Sequence, residues 1–256
     1  MTFQPIFTLD AAIKNGSDTE LSPLNETIQT DVWLTLNTKI AQLLVRGRTV
    51  KNKPPIIGLI RFADVLRLIW NAAKRNDPYA DWWLIKIEDE LATLEHDIKK
   101  AQDQMRARIR STPAYRVVPP VNKEAFRIRL QFATPFAFQA ARLLANFDIF
   151  VCENLVGKHI GVLARDEANQ SIYAYSSKIR GLFALATRFR HLDIDRSQPH
   201  TLEHVTDSAI RYMGHLPKDI KAGTRRARLA PPINEQSSTY VPPVENDLPE
   251  LEDLNT

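Results

Sequence analysis

From residue 28 to 36, apolar and polar positions alternate. Ile28, Thr30, Val32, Leu34 and Leu36 fall on one side, and Gln29, Asp31, Trp33, Thr35 and Asn37 on the other. A period of two predicts a half-buried strand. Thr38 opens a predicted short helix to Leu44, ended by Arg46-Gly47-Arg48. Residues 49–57, with Lys51, Lys53, Pro54 and Pro55, read as a basic loop. The period then changes. Leu59, Phe62, Ala63, Leu66, Ile69, Trp70 and Ala73 recur at helical spacing, with Arg61, Asp64, Arg67, Asn71 and Lys74 on the other side. Asn76-Asp77-Pro78 marks a turn with Pro78 at a first helical position. From 79 to 110, Leu84, Ile87, Leu91, Leu94, Ile98, Ala101 and Met105 follow in alternating steps of three and four. Such a seam is of coiled-coil type, on a helix about 48 Å long. It predicts two antiparallel helices packed within one subunit, or an intermolecular coiled coil. The far end carries Lys99, Lys100, Arg106, Arg108 and Arg110.

Pro113 and Pro119-Pro120 predict a linker over 111–122. A strand pattern follows from Phe126 to Phe132, then a strongly apolar helical stretch from Pro135 to about Val156. Asp166 is a helix-capping candidate. Ile172, Tyr175, Ile179, Leu182, Phe183, Ala186 and Phe189 form a further helical stripe. Pro199 introduces a short helix over 200–215, and a basic patch follows it. The class is mainly α with a few strands, an α+β body.

In the strand over 123–132, Phe126, Ile128, Leu130 and Phe132 share one face, and Arg127, Arg129 and Gln131 share the other. A two-stranded antiparallel ribbon fits the major groove of B-DNA, where Arg suits guanine O6 and N7 and Gln suits adenine N6 and N7. Thr134-Pro135 begins a helix well. A strand followed at once by two helices is the unit of ribbon-helix-helix regulators, in which each of two subunits contributes one strand. That arrangement needs a break in the apolar stretch. Asn146-Phe147-Asp148 is the candidate, with Asp148 capping a second helix whose amino end faces phosphate. The competing expectation is an ordinary half-exposed strand pairing with 28–36. The 28–36 strand is also a rival ribbon, although Asp31 and Trp33 suit DNA poorly.

Composition narrows the classes further. With 44% hydrophobic residues, 25% charged and one cysteine, Cys152, the 256 residues suit a folded body without disulfides. A buried structural Cys152 is expected. No run approaches 18 uninterrupted apolar residues, so no membrane span is predicted. Met1 to Asp10 shows no secretory pattern, so a cytoplasmic, nucleoid-associated protein is expected. The net charge of +4 is unevenly spread. Residues 1–26 form an acidic extension of net −3. Residues 231–256 hold Glu235, Glu245, Asp247, Glu250, Glu252 and Asp253 with five prolines and no Lys or Arg. This composition predicts a disordered acidic tail. The middle, 27–230, therefore carries +13, which suits a polyanionic partner for which the tail could compete. Four regions are expected: 1–26; 27–112, a strand and a long helical hairpin; 123–230, a ribbon-helix-helix-like unit with a basic patch; and 231–256.

Motifs of catalysis are weak. His200-Thr201-Leu202-Glu203-His204 matches H-x-x-E-H, but Pro199 puts His200 at a first helical turn. A zinc hydrolase is a remote alternative. No G-x-G-x-x-G or Walker-type loop occurs, and Gly157-Lys158-His159 lacks its context. Tyr79 with Trp82-Trp83 reads as core packing. No catalytic residue, cofactor or metal is expected.

Several stretches resemble a family encoded on integrating conjugative elements: Tyr79-Ala80-Asp81-Trp82-Trp83, the segment from Pro135 to Asp148, and Ser176 through Phe189. That family is similar to the AcaB-type regulators of plasmid transfer, transcription factors with a ribbon-helix-helix element. The likeness covers about 28 to 230. It implies a non-enzymatic, dimeric regulator that binds double-stranded DNA at conjugative-transfer genes, with other transcription factors or RNA polymerase as further partners. Arg127, Arg129 and Gln131 would read bases, and Lys123, Asp148, Lys218, Lys221, Arg225, Arg226 and Arg228 would face phosphates. The alternative is a structural or assembly component of such an element.

Overall fold

The computed structural model describes residues 31–49, 55–111, 125–197 and 206–234. The chain divides into Met1–Asp31 and Val32–Thr256, and the fold is that of the second unit. Its order is β1 (Val32–Leu36), α1 (Lys39–Arg46), α2 (Leu59–Lys74), α3 (Pro78–Arg110), β2 (Phe126–Leu130), α4 (Pro135–His159), α5 (Arg165–Ala186), α6 (Thr206–Met213) and α7 (Lys218–Lys221). Helices supply most of the structure, and the described residues hold a single two-stranded antiparallel sheet, so the class is α+β.

Helix α3 shows how local rules and packing combine. Asp77 caps it, accepting from the Tyr79 and Ala80 amides at 2.8 and 3.2 Å, and Pro78 occupies the first turn. Asn76 takes a positive φ of 63° in the tight turn from α2. The seam Leu84, Ile87, Leu91, Leu94, Ile98 and Met105 is buried within this chain. Polar contacts set the directions. Glu95 meets Arg142 at 2.9 Å, the Gln102 amide donates to the Asn146 carbonyl at 2.9 Å, and Arg106 meets Glu153 at 2.7 Å. Residue numbers rise together, so α3 and α4 run parallel. Asp97 with Lys178, and Arg108 with Glu167, show α5 antiparallel to α3. Helix α3 therefore packs antiparallel to α5 and parallel to α4 within one chain.

Helix α4 is apolar on nearly every side and forms the centre of the core. It runs unbroken from Pro135 to His159, which corrects the expected break at Asn146–Asp148. Phe147 is fully buried and no Gly or Pro interrupts, so packing favours continuation. The turn comes later: Gly161, at φ 76°, ends the helix, and the Val162 amide donates to the Gly157 carbonyl at 2.9 Å. Helix α5 starts at Arg165 after the cap residue Ala164, with Asp166 in its first turn rather than at the cap. Cys152 is buried, and burial pushes its thiol up to about 11.

Candidate nucleic-acid interface

The two strands found by alternation pair with each other. Their register sets Val32 opposite Leu130, Trp33 opposite Arg129, Leu34 opposite Ile128, Thr35 opposite Arg127 and Leu36 opposite Phe126. The partner of β2 is therefore β1 of the same chain. This corrects the expectation that a second subunit supplies the other strand, and the rival ribbons are one ribbon. Helix α4 starts a few residues after β2 and is tied to the end of β1 through Asp148.

Alternation divides the ribbon into two faces. Leu34, Leu36 and Leu130 are buried and join the main core, with Val32, Phe126 and Ile128 packed against it. Trp33, Thr35, Arg127 and Arg129 lie on the outer face and are exposed, Trp33 by 54%. Gln131, directly after β2, is exposed as well. Opposed side chains on such a pair stand about 5 Å apart at Cβ. On the outer face Trp33 thus stands directly across from Arg129, and Thr35 across from Arg127.

A buried carboxylate fixes the ribbon to α4. Asp148, 1% exposed, accepts hydrogen bonds from the Asn37 amide (2.7 Å), Asn37 Nδ2 (3.1 Å), the Thr38 amide (2.9 Å) and Thr38 Oγ1 (2.7 Å). Thr38 in turn caps α1 through the Ala41 amide. The phosphate-facing role expected of Asp148 is corrected: its carboxylate is spent inside, where it locks the corner between β1 and α1.

Two cations beside the ribbon lay outside the sequence expectation. Arg46, in the last turn of α1, lies over the Phe126 ring at 5.1 Å. Arg48 forms a backbone bridge with Ile56, N to O at 2.8 and 2.9 Å. A Cβ on Gly58 would sit 2.3 Å from the Gly47 nitrogen, so the two chain segments cross at van der Waals limit and only glycine fits. The described segments around Arg48 and Ile56 are therefore held together next to Arg46. The pair Arg46-Gly47-Arg48 was the sequence signal.

The C-terminal basic patch is elsewhere. It sits against the α2–α3 turn, about 24 Å from the ribbon end of α2 by the length of that helix. Its residues differ in orientation. Arg226, 22% exposed at its side chain, turns inward to Asp81 at 2.9 Å, and Arg196 meets the same fully buried carboxylate at 2.9 Å. The phosphate role expected of Arg226 is thus corrected, because a buried Asp81 demands its charge. Arg228 stays 78% exposed and gives its amide to Glu88. Lys218, Lys221 and Arg225 are exposed. Nearby, burial pushes Asp77 up to about 7, against its two backbone hydrogen bonds. Trp83 donates from Nε1 to the Leu185 carbonyl at 3.1 Å, and Tyr79 from its hydroxyl to the Gly214 carbonyl at 3.1 Å, as core residues. Lys123, His200, Glu203 and His204 lie outside the described residues. Among the described residues, no group of three potential metal ligands occurs and no helix is long and apolar enough to cross a membrane.

Residues 26–234 match the family model described as transcriptional regulator AcaB. A crystal structure of selenomethionine-containing AcaB from uropathogenic E. coli aligns over 78% of this chain and 98% of that one, at 13% identity and a TM-score of 0.52. The structural likeness is one of fold. No curated protein matches.

Proposed function

Because this chain belongs to the family of AcaB transcriptional regulators, we propose that it binds operator DNA through the outer face of its ribbon. Arg127 and Arg129 enter the major groove and donate to guanine O6 and N7, and Gln131 addresses a neighbouring adenine. The observation that carries this reading is the sidedness of the ribbon. Its apolar face is fixed to the core while its outer face holds Trp33, Thr35, Arg127 and Arg129. A rigid backing keeps the guanidiniums positioned before DNA arrives, which lowers the ordering cost of binding.

In this reading each chain brings a complete ribbon, and two copies in a homodimer read the two halves of a palindrome. Lys218, Lys221, Arg225 and Arg228 contact phosphates and set the salt dependence rather than the sequence preference. The targets are conjugative-transfer genes, regulated in the cytoplasm without catalysis or cofactor. Selection of bound duplexes from random oligonucleotides tests the reading, with a palindromic motif as the expected outcome. On that motif, Arg127→Ala and Arg129→Ala each weaken binding by about 1–3 kcal/mol and relax one base position. Wild-type affinity in both variants would remove the ribbon from the interface.

A further inference from the structure

Beside the ribbon, a groove runs between β2 and α2. Ile60, Ala63 and Arg67 line it from α2, and Arg129, Gln131 and Phe132 from β2 and the residues after it. Its floor is apolar and its rims carry two arginines against one carboxylate, Asp64. Along α2, positions 60, 67 and 74 repeat at steps of seven and so share a face. At Lys74 the last described segment leaves the body: the Asn234 amide donates to the Lys74 carbonyl at 2.8 Å. Residues 235–256 therefore start from the same helix that walls the groove.

Those residues have the matching chemistry. Leu248, Leu251 and Leu254 recur every third position, with Glu250, Glu252 and Asp253 between them. Ile60 lies about 21 Å from Lys74 along the helix. The 14 residues from Asn234 to Leu248 span up to about 46 Å, so the acidic leucine segment reaches the groove with slack. The family match ends at residue 234, so this segment lies outside the matched body.

We propose that residues 248–254 dock in the α2–β2 groove, leucines on its apolar floor and carboxylates toward Arg67 and Arg129, and so compete with DNA for the ribbon. The competition, though not the docking, rests on the proposed role of the ribbon. An intramolecular anion close to its site acts at high effective concentration, so modest affinity suffices.

The test uses the full-length chain and a full-length variant combining Glu250→Gln, Glu252→Gln, Asp253→Asn and Leu251→Ser. Hydrogen exchange without DNA is measured over residues 59–68 and 126–133. Docking predicts exchange about three- to tenfold faster in the variant, with the difference shrinking as salt rises. Equal exchange in both chains overturns the docking, even if the variant binds DNA more tightly, since that gain would then be long-range repulsion alone. A random-sequence duplex separates the two ideas. Faster exchange with about tenfold tighter DNA binding supports docking and competition together. Faster exchange with unchanged DNA affinity leaves the docking standing and removes the ribbon from the DNA interface.

Discussion

Arg127 and Arg226 look alike in the sequence, each inside a short run of arginines. The structure separates them. Arg127 stands on the outer face of a strand whose other face is nailed to the core, so its direction follows from the pleat. Arg226 lies in an irregular segment and turns inward to a carboxylate with no exposure at all. The ribbon end of the molecule leaves its arginines on the outer face, and the α2–α3 turn draws Arg226 inward for its own cohesion. The direction of a basic side chain thus depends on whether a buried acid lies within its reach.

Four measurements sharpen or break that contrast. The largest effect is expected from Asp81→Ala, which leaves Arg196 and Arg226 half-buried without their carboxylate. It should cost about 3–5 kcal/mol in chemical denaturation. A loss below 1 kcal/mol would mean that the two arginines are not structural. Next comes Asp148→Ala, which strips four donors at the corner of β1 and α1. A loss of about 3 kcal/mol is expected, with DNA affinity falling as the ribbon loosens. Third, Arg226→Ala should lower stability by about 1–3 kcal/mol, whereas Arg225→Ala should stay within about 0.5 kcal/mol. In salt titrations of DNA binding, Arg225→Ala should flatten the slope. Equal behaviour of the two variants would erase the distinction between the regions.

The smallest effect concerns pH. Burial raises Asp77 to about 7, in the company of Asp81, Arg196 and His191. The folded state thus holds its proton more tightly than the unfolded chain. The stability linked to this group is complete below the ordinary carboxylate range and is lost as pH rises through about 7. Asn caps helices as well as Asp does, so Asp77→Asn should raise the melting temperature by about 2–4 °C at pH 8. The gain should shrink at pH 5 and vanish only below the ordinary carboxylate range; a gain independent of pH would assign the effect to something other than the charge.

Much of the scaffold was legible because its periods are clean. Alternation located both strands, and the seam from Leu84 to Met105 located the long helix. Residue types also placed the helix starts at Thr38, Pro78 and Thr134-Pro135. Which strand pairs with which is not local information. The pairing of Val32–Leu36 with Phe126–Leu130 bridges some ninety residues, beyond the reach of any local pattern. The break at Asn146–Asp148 misled for a related reason. Asn and Asp are cap formers by type, yet here the Asn146 backbone carbonyl accepts from the Gln102 side-chain amide and the Asp148 carboxylate accepts from a distant helix start. The inward Arg226 was invisible because its partner lies 145 residues away.

The crossing of Gly47 and Gly58 makes the end of α1 and the start of α2 one mechanical unit. A Cβ on Gly47 would meet the Ile56 carbonyl oxygen at 2.4 Å, and one on Gly58 the Gly47 nitrogen at 2.3 Å, so a side chain at either place must push the two segments apart. Such a replacement is therefore felt at both helix ends together, at Arg46 as well as at Leu59.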